Sequence, residues 1–77
     1  MRHDTVGRRL LQRVLLVHTR TEVAAVCRVK QPAVSKWALG YQRPSESARR
    51  VLETRYKIHH WAWYQIAESV NEHAHQL

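Results

Sequence analysis

The sequence predicts an all-α fold, a compact domain of five helices spanning residues 1–77. Three observations carry this. Apolar residues recur at three- and four-residue intervals almost throughout, the spacing of a single helix face. Residues able to cap helices stand where these periodic stretches begin. Only two glycines and two prolines occur, too few for a chain built from tight turns. A chain this short buries only about 60% of the surface its unfolded form exposes. Modest stability is therefore expected, with a partner subunit as one source of more.

The first helix is read over 4–17. Val6, Leu10, Val14 and Val17 recur at i, i+4, i+8 and i+11, and Leu11 and Leu15 widen that face. Arg8, Arg9, Gln12 and Arg13 fill much of the remainder, and Asp4 or Thr5 can cap the start. Thr19-Arg20-Thr21-Glu22 then has capping-box spacing, so a second helix runs from about 20 to 27. Val23, Ala24 and Cys27 form its inner face, and the small Ala24 admits a neighbouring helix closely. Residues 28–30 are a short break, with Val29 turned inward.

A third helix opens at Gln31. Pro32 fits there because a first-turn N–H has no intrahelical partner. Val34 and Trp37 anchor its inner side and leave Gln31, Pro32, Ser35 and Lys36 outside. Gly40 ends it, where a left-handed residue is wanted. The fourth helix starts at Pro44-Ser45, with Ser45 as N-cap and Glu46 in the first turn. Ala48, Val51, Leu52, Arg55 and Tyr56 keep the helical spacing, and Ile58 is an apolar plug in the link.

A fifth helix is read over 60–74. It has one seam of Ala62, Ile66 and Val70, and a second of Trp63, Ala67, Val70 and Ala74. Two seams exceed what a small core needs, so the second is expected to meet another copy. Trp63, Ala67 and Val70 are its contact residues, with Trp61 and Ile66 assigned to the core.

Charge divides the chain. All thirteen Lys and Arg lie in 1–57 with four carboxylates, giving +9; residues 58–77 hold two Glu and no Lys or Arg, giving −2 with histidines neutral. One part is expected to meet a polyanion and the other to do something else. The single Cys27 excludes an internal disulfide and suits a reducing cytosol. Cys27 reads as a small hydrophobe. The N-terminal run "MRHDTVGRRLLQRVLLVH" is interrupted by Gln12 and Arg13 and precedes no small-residue cleavage site, so no leader is expected. No apolar stretch is long enough to span a membrane. His59-His60 and His73-x-His75 could ligate zinc, but nothing supplies thiolates or a fixed geometry, so no metal and no cofactor are expected. The few carboxylates are accounted for as caps or solvated charges, which argues against an enzyme.

Two short helices with a three-residue break, the second opening on polar side chains, describe a helix-turn-helix. "TRTEVAAVCRVKQPAVSKWALGYQRPS" resembles the Cro/repressor (lambda repressor-like, XRE-type) family of bacterial and phage regulators, and "RPSESARRVLE" looks like that family's fourth helix. The resemblance covers about 19–53 and is weaker in the first helix and the tail. It implies that the third helix enters the major groove and that its first residues touch base edges. Gln31 then offers a donor and an acceptor side by side, matching adenine N6 and N7. Lys36 can donate to guanine, Ser35 is an adaptable donor-acceptor, and Pro32 suits a thymine methyl. Thr19, Arg20 and Thr21 at the start of the second helix, Lys30 before the third, and Tyr41, Gln42 and Arg43 in the loop after it are implied phosphate contacts.

The sequence departs from its apparent relatives at three places. Arg28 stands in the turn where glycine is usual, Lys30 replaces a Ser or Thr cap, and Lys57 occupies another common glycine position. The resemblance implies a sequence-specific regulator that binds double-stranded DNA. A small Cro-like repressor from a phage or mobile element fits, cytoplasmic and nucleoid-associated, bound to a palindromic operator as a homodimer and independent of membranes. The alternative is a protein-binding module, such as an antitoxin or anti-activator, whose acidic aromatic tail grips a protein partner.

Overall fold

The first helix begins where Thr5 leaves extended backbone and its side chain accepts from the Arg8 N–H. The computed structural model describes residues 4–67. Within them the chain forms α1 (Val6–Val14), α2 (Arg20–Cys27), α3 (Gln31–Leu39), α4 (Glu46–Tyr56) and a 3-10 helix, His60–Tyr64. The described fold is all-helical, with four α-helices and one 3-10 turn where five helices were expected. Part of the expected fifth helix (60–74) lies outside the described residues, as do Val70 and Ala74. Over 60–66 the chain is not α-helical: Gln65 is extended, and Ile66 makes an antiparallel bridge with Thr5. The bridge explains the departure. The Val6 N–H donates to the Gln65 carbonyl at 2.9 Å and the Ala67 N–H to the Asp4 carbonyl at 3.1 Å, so the backbone groups of 65–67 are paired across the domain.

α1 is shorter than its periodicity suggests. It stops at Val14, caps on Leu15, and turns through 16–18, leaving Leu16 and Val17 80% exposed or more. Its most buried line is Gly7–Leu11, not Val6–Leu10. Gly7 sets this orientation: a Cβ there would lie 2.5 Å from the Trp63 ring. The missing side chain lets a tryptophan lie flat on the helix.

α2 packs on α3 and α4, α3 on α1, and the 3-10 helix chiefly on α1. Leu11, Val23, Val34, Leu52, Ile58 and Trp63 are fully buried at the centre. Each contributes about 1.5–3 kcal/mol by leaving water. Cys27 is buried there, and burial pushes its thiol above the ordinary value. α2, α3 and α4 each end on a left-handed residue: Arg28 (φ 59°), Gly40 (φ 82°) and Lys57 (φ 62°). In the first two the next N–H folds back five residues, Val29 to Ala24 and Tyr41 to Lys36. This closure satisfies carbonyls that a helix end leaves open.

Candidate nucleic-acid interface

α2 is held at its start by a complete capping box. The Thr19 hydroxyl accepts from the Glu22 N–H at 3.1 Å, and the Thr19 N–H donates to Glu22 Oε1 at 3.2 Å. The Thr19 N–H, helped by His18 Nδ1 at 3.2 Å, holds the Glu22 carboxyl below its ordinary value. Arg20 and Thr21 occupy the first turn and are exposed. Thr19 thus has a structural duty beside any ligand role.

After α2 the left-handed Arg28 turns the chain within three residues into α3. Lys30 precedes that helix and gives it no side-chain cap. α3 is two-sided. Val34, Trp37 and Ala38 are buried, whereas Gln31, Pro32 and Lys36 are exposed and Ser35 is half-buried. At 100° per residue the latter four fall on one arc of about 140°. A glutamine amide, a hydroxyl and an ammonium therefore share the outward side of one short helix, with a proline ring among them.

Two residues that the sequence places only on the polar side of α1 hold the far end of α3. Arg8 Nε and Gln12 Nε2 both donate to the Ala38 carbonyl, each at 2.9 Å. That oxygen is among the last four of α3, which have no intrahelical donor. Arg8 also reaches Asp4 Oδ1 at 3.2 Å, and Arg9 takes both Asp4 oxygens, at 3.2 and 2.9 Å. The Arg9 hydrogen bonds hold the Asp4 carboxyl low against the opposing effect of desolvation. The Asp4–Arg8 spacing of four is readable in sequence; the Ala38 contact has no local signal.

Tyr41 and Gln42 are exposed in the loop after α3. Arg43 is exposed but engaged: its Nε donates to the Trp63 carbonyl at 2.9 Å, and its guanidinium lies 4.9 Å from the Tyr64 ring centroid. It ties the loop to the 3-10 helix. Arg49 lies on the same ring at 5.4 Å.

The expected dimer residues need correction. Trp63 (1% exposed) and Ala67 (3%) belong to this chain's own interior, while Trp61 (68%) and Ile66 (60%), assigned to the core, face out beside Tyr64. The faces are exchanged because a 3-10 turn and an extended residue replace the α-helical register over 60–66. Val70 lies outside the described residues. No group of His, Cys, Asp and Glu that could hold a metal ion occurs among the described residues, and no helix there is long and apolar enough to cross a membrane. No protein-family model, curated protein or solved structure matches the chain.

Proposed function

We propose that the protein is a sequence-specific, double-stranded DNA-binding transcriptional regulator of the Cro/repressor kind, a small repressor acting on a palindromic operator as a homodimer. The single observation that carries the reading is the outward arc of α3. Gln31, Pro32, Ser35 and Lys36 share it at the start of a helix whose opposite side is locked into the core. Such a helix can lie in a major groove with its first residues at base edges. Gln31 and Lys36 read bases. Arg20, Thr21 and Lys30, with Thr19, Tyr41 and Gln42, hold phosphates. Arg43 acts in part by fixing the loop that carries Tyr41 and Gln42. The excess of Lys and Arg in 1–57 supplies the sequence-independent attraction.

The dimer contact in this reading is the exposed Trp61–Tyr64–Ile66 face. Tryptophan and tyrosine supply large contact area; 58–77 carry no Lys or Arg of their own, and the two cations at this face, Arg43 and Arg49, lie over the Tyr64 ring. Half-sites then lie about 10 base pairs apart, one helical turn. The same face supports the second reading, a module that grips a different protein. Sedimentation separates them: a pure homodimer on DNA favours the regulator, and a chain that assembles only with another protein favours the module.

The decisive experiment selects bound sites from randomised duplex DNA and then titrates variants on the selected operator. Gln31→Ala is expected to cost about 1–3 kcal/mol and to relax preference at one base pair. Arg20→Ala is expected to weaken all sequences alike and to reduce the salt slope by roughly one. If Gln31→Ala leaves the relative affinities of single-base operator variants unchanged, α3 is not the reading helix.

A further inference from the structure

A groove of about 350 Å³ runs between the C-terminal ends of α1 and α4, away from the α3 residues assigned to base reading. Val14, Val17 and Tyr56 give its lining apolar carbon, and Arg13, Arg55 and Lys57 supply cations, with the His18 ring beside that of Tyr56. Val17 is 80% exposed, and Leu16 beside it 85%. Side-chain hydrogen bonds and ion pairs to Arg13, Arg55 and Lys57 are absent among the described residues. Glu22, on the His18 side, is already engaged by His18 and Thr19. Lys57 is also strained. It makes with φ 62° the left-handed helix ending that Gly40 makes with a residue suited to it.

We propose that this groove docks an acidic segment of a partner protein, one that carries a large apolar side chain among its carboxylates. The apolar anchor covers Val14, Val17 and Tyr56, and the carboxylates meet Arg13, Arg55 and Lys57. Charge complementarity selects an anion. The two valines favour a peptide over a nucleic-acid backbone. Phosphates are held by cations, hydroxyls and N–H groups and gain nothing from valine carbon, whereas a protein interface gains from an apolar centre inside a polar rim. The inference does not rest on the role given to α3.

The test uses the full chain labelled with ¹⁵N. It is titrated with a short synthetic peptide of Asp and Glu around a Leu-Phe pair, with the same peptide carrying Ser in place of Leu and Phe, and with random-sequence duplex DNA. The acidic apolar peptide is expected to shift the amides of Val14, Val17, His18, Tyr56 and Lys57 and to saturate. Val17→Ser, which alters an exposed residue outside the helices, and Arg55→Glu are each expected to weaken it about tenfold, the effect of losing one interface anchor or reversing one rim charge. Val17→Ser leaves operator binding unchanged. The proposal is overturned if no shifts occur, if the serine peptide binds equally well, or if duplex DNA gives the same shifts and competes with the peptide. It is also overturned if the shifts follow protein concentration alone, which makes the occupant a second copy.

Discussion

Residues 19–40 and 58–67 are both packed against the same core, yet they are specified in different ways. In 19–40 each boundary has its own local cause: a capping box at Thr19, a left-handed ending at Arg28, a proline in the first turn of α3 and a glycine at its end. In 58–67 the conformation depends on partners far away in sequence. Trp63 lies on Gly7, Ile66 pairs with Thr5, and Arg43 reaches the Trp63 carbonyl. Periodicity alone reads this segment as α-helix and turns the wrong residues inward. The lesson is that apolar spacing fixes a face only when the backbone keeps the period, and a bridge to another segment can take that period away.

The sharpest way to break this contrast is Trp63→Ala. If Trp63 is interior, the substitution costs about 3–5 kcal/mol of folding stability, a large share of what a chain this size has. Urea unfolding followed by circular dichroism should show the same loss at low and high protein concentration. A loss seen only as weaker self-association would return Trp63 to an interface. Gly7→Ala comes next. A helix gains about 1 kcal/mol from the exchange by propensity, but the new methyl meets three ring atoms at 2.5–2.9 Å. Overpacking of this kind costs about 1–3 kcal/mol, so a net loss is expected. A raised melting temperature would show that the ring yields freely.

Two smaller effects test the local side of the comparison. Arg28→Gly is expected to stabilise by about 0.5–1 kcal/mol, the relief of a left-handed non-glycine residue less the added unfolded-state entropy. Thermal melts decide it, and a lower midpoint would mean that the arginine side chain contributes more than its backbone costs. Glu22→Gln is the mildest. The Glu22 carboxyl is held low by the Thr19 N–H, so its stabilising effect is present above the ordinary glutamate range and is lost as pH falls through the folded-state value. The wild-type melting temperature should therefore fall more steeply than that of Glu22→Gln on acidification through this range. The Asp4 contribution, which has the same sign, remains in both proteins and cancels.

The same division governs what the residues reveal of the site. Thr19, Gln31, Gly40 and Ser45 carry their helix-boundary roles in their own chemistry and immediate neighbours: α2, α3 and α4 start, and α3 stops, where these residues indicate. The outward arc of α3 follows directly. The grip of Arg8 and Gln12 on Ala38 is different, because it joins residues 30 and 26 positions apart. Nothing near either end announces it. Arg43 shows how a correct location can hide a second duty. Its place in the loop after α3 is legible, but its bond to Trp63 depends on a 3-10 turn that only the assembled core imposes. Gly7 is legible only in reverse: a glycine inside a helical pattern is a cost that calls for a packing reason, and the reason is a tryptophan about fifty-five residues away.

The pairing of residues 4–6 with 65–67 has a kinetic consequence. It joins segments about sixty residues apart, so forming it closes nearly the whole described chain into a loop. That closure entropy must be met before the contact returns anything. The packing of α2 on α3 joins residues much closer in sequence and needs no such closure. The clasp is therefore expected to close late in folding, and Gly7→Ala should accelerate unfolding more than it slows folding. In the native protein it should also be the first part to open. The Val6 and Ala67 amides should exchange with deuterium sooner than the interior amides of α3, with α3 still intact while the clasp stands open.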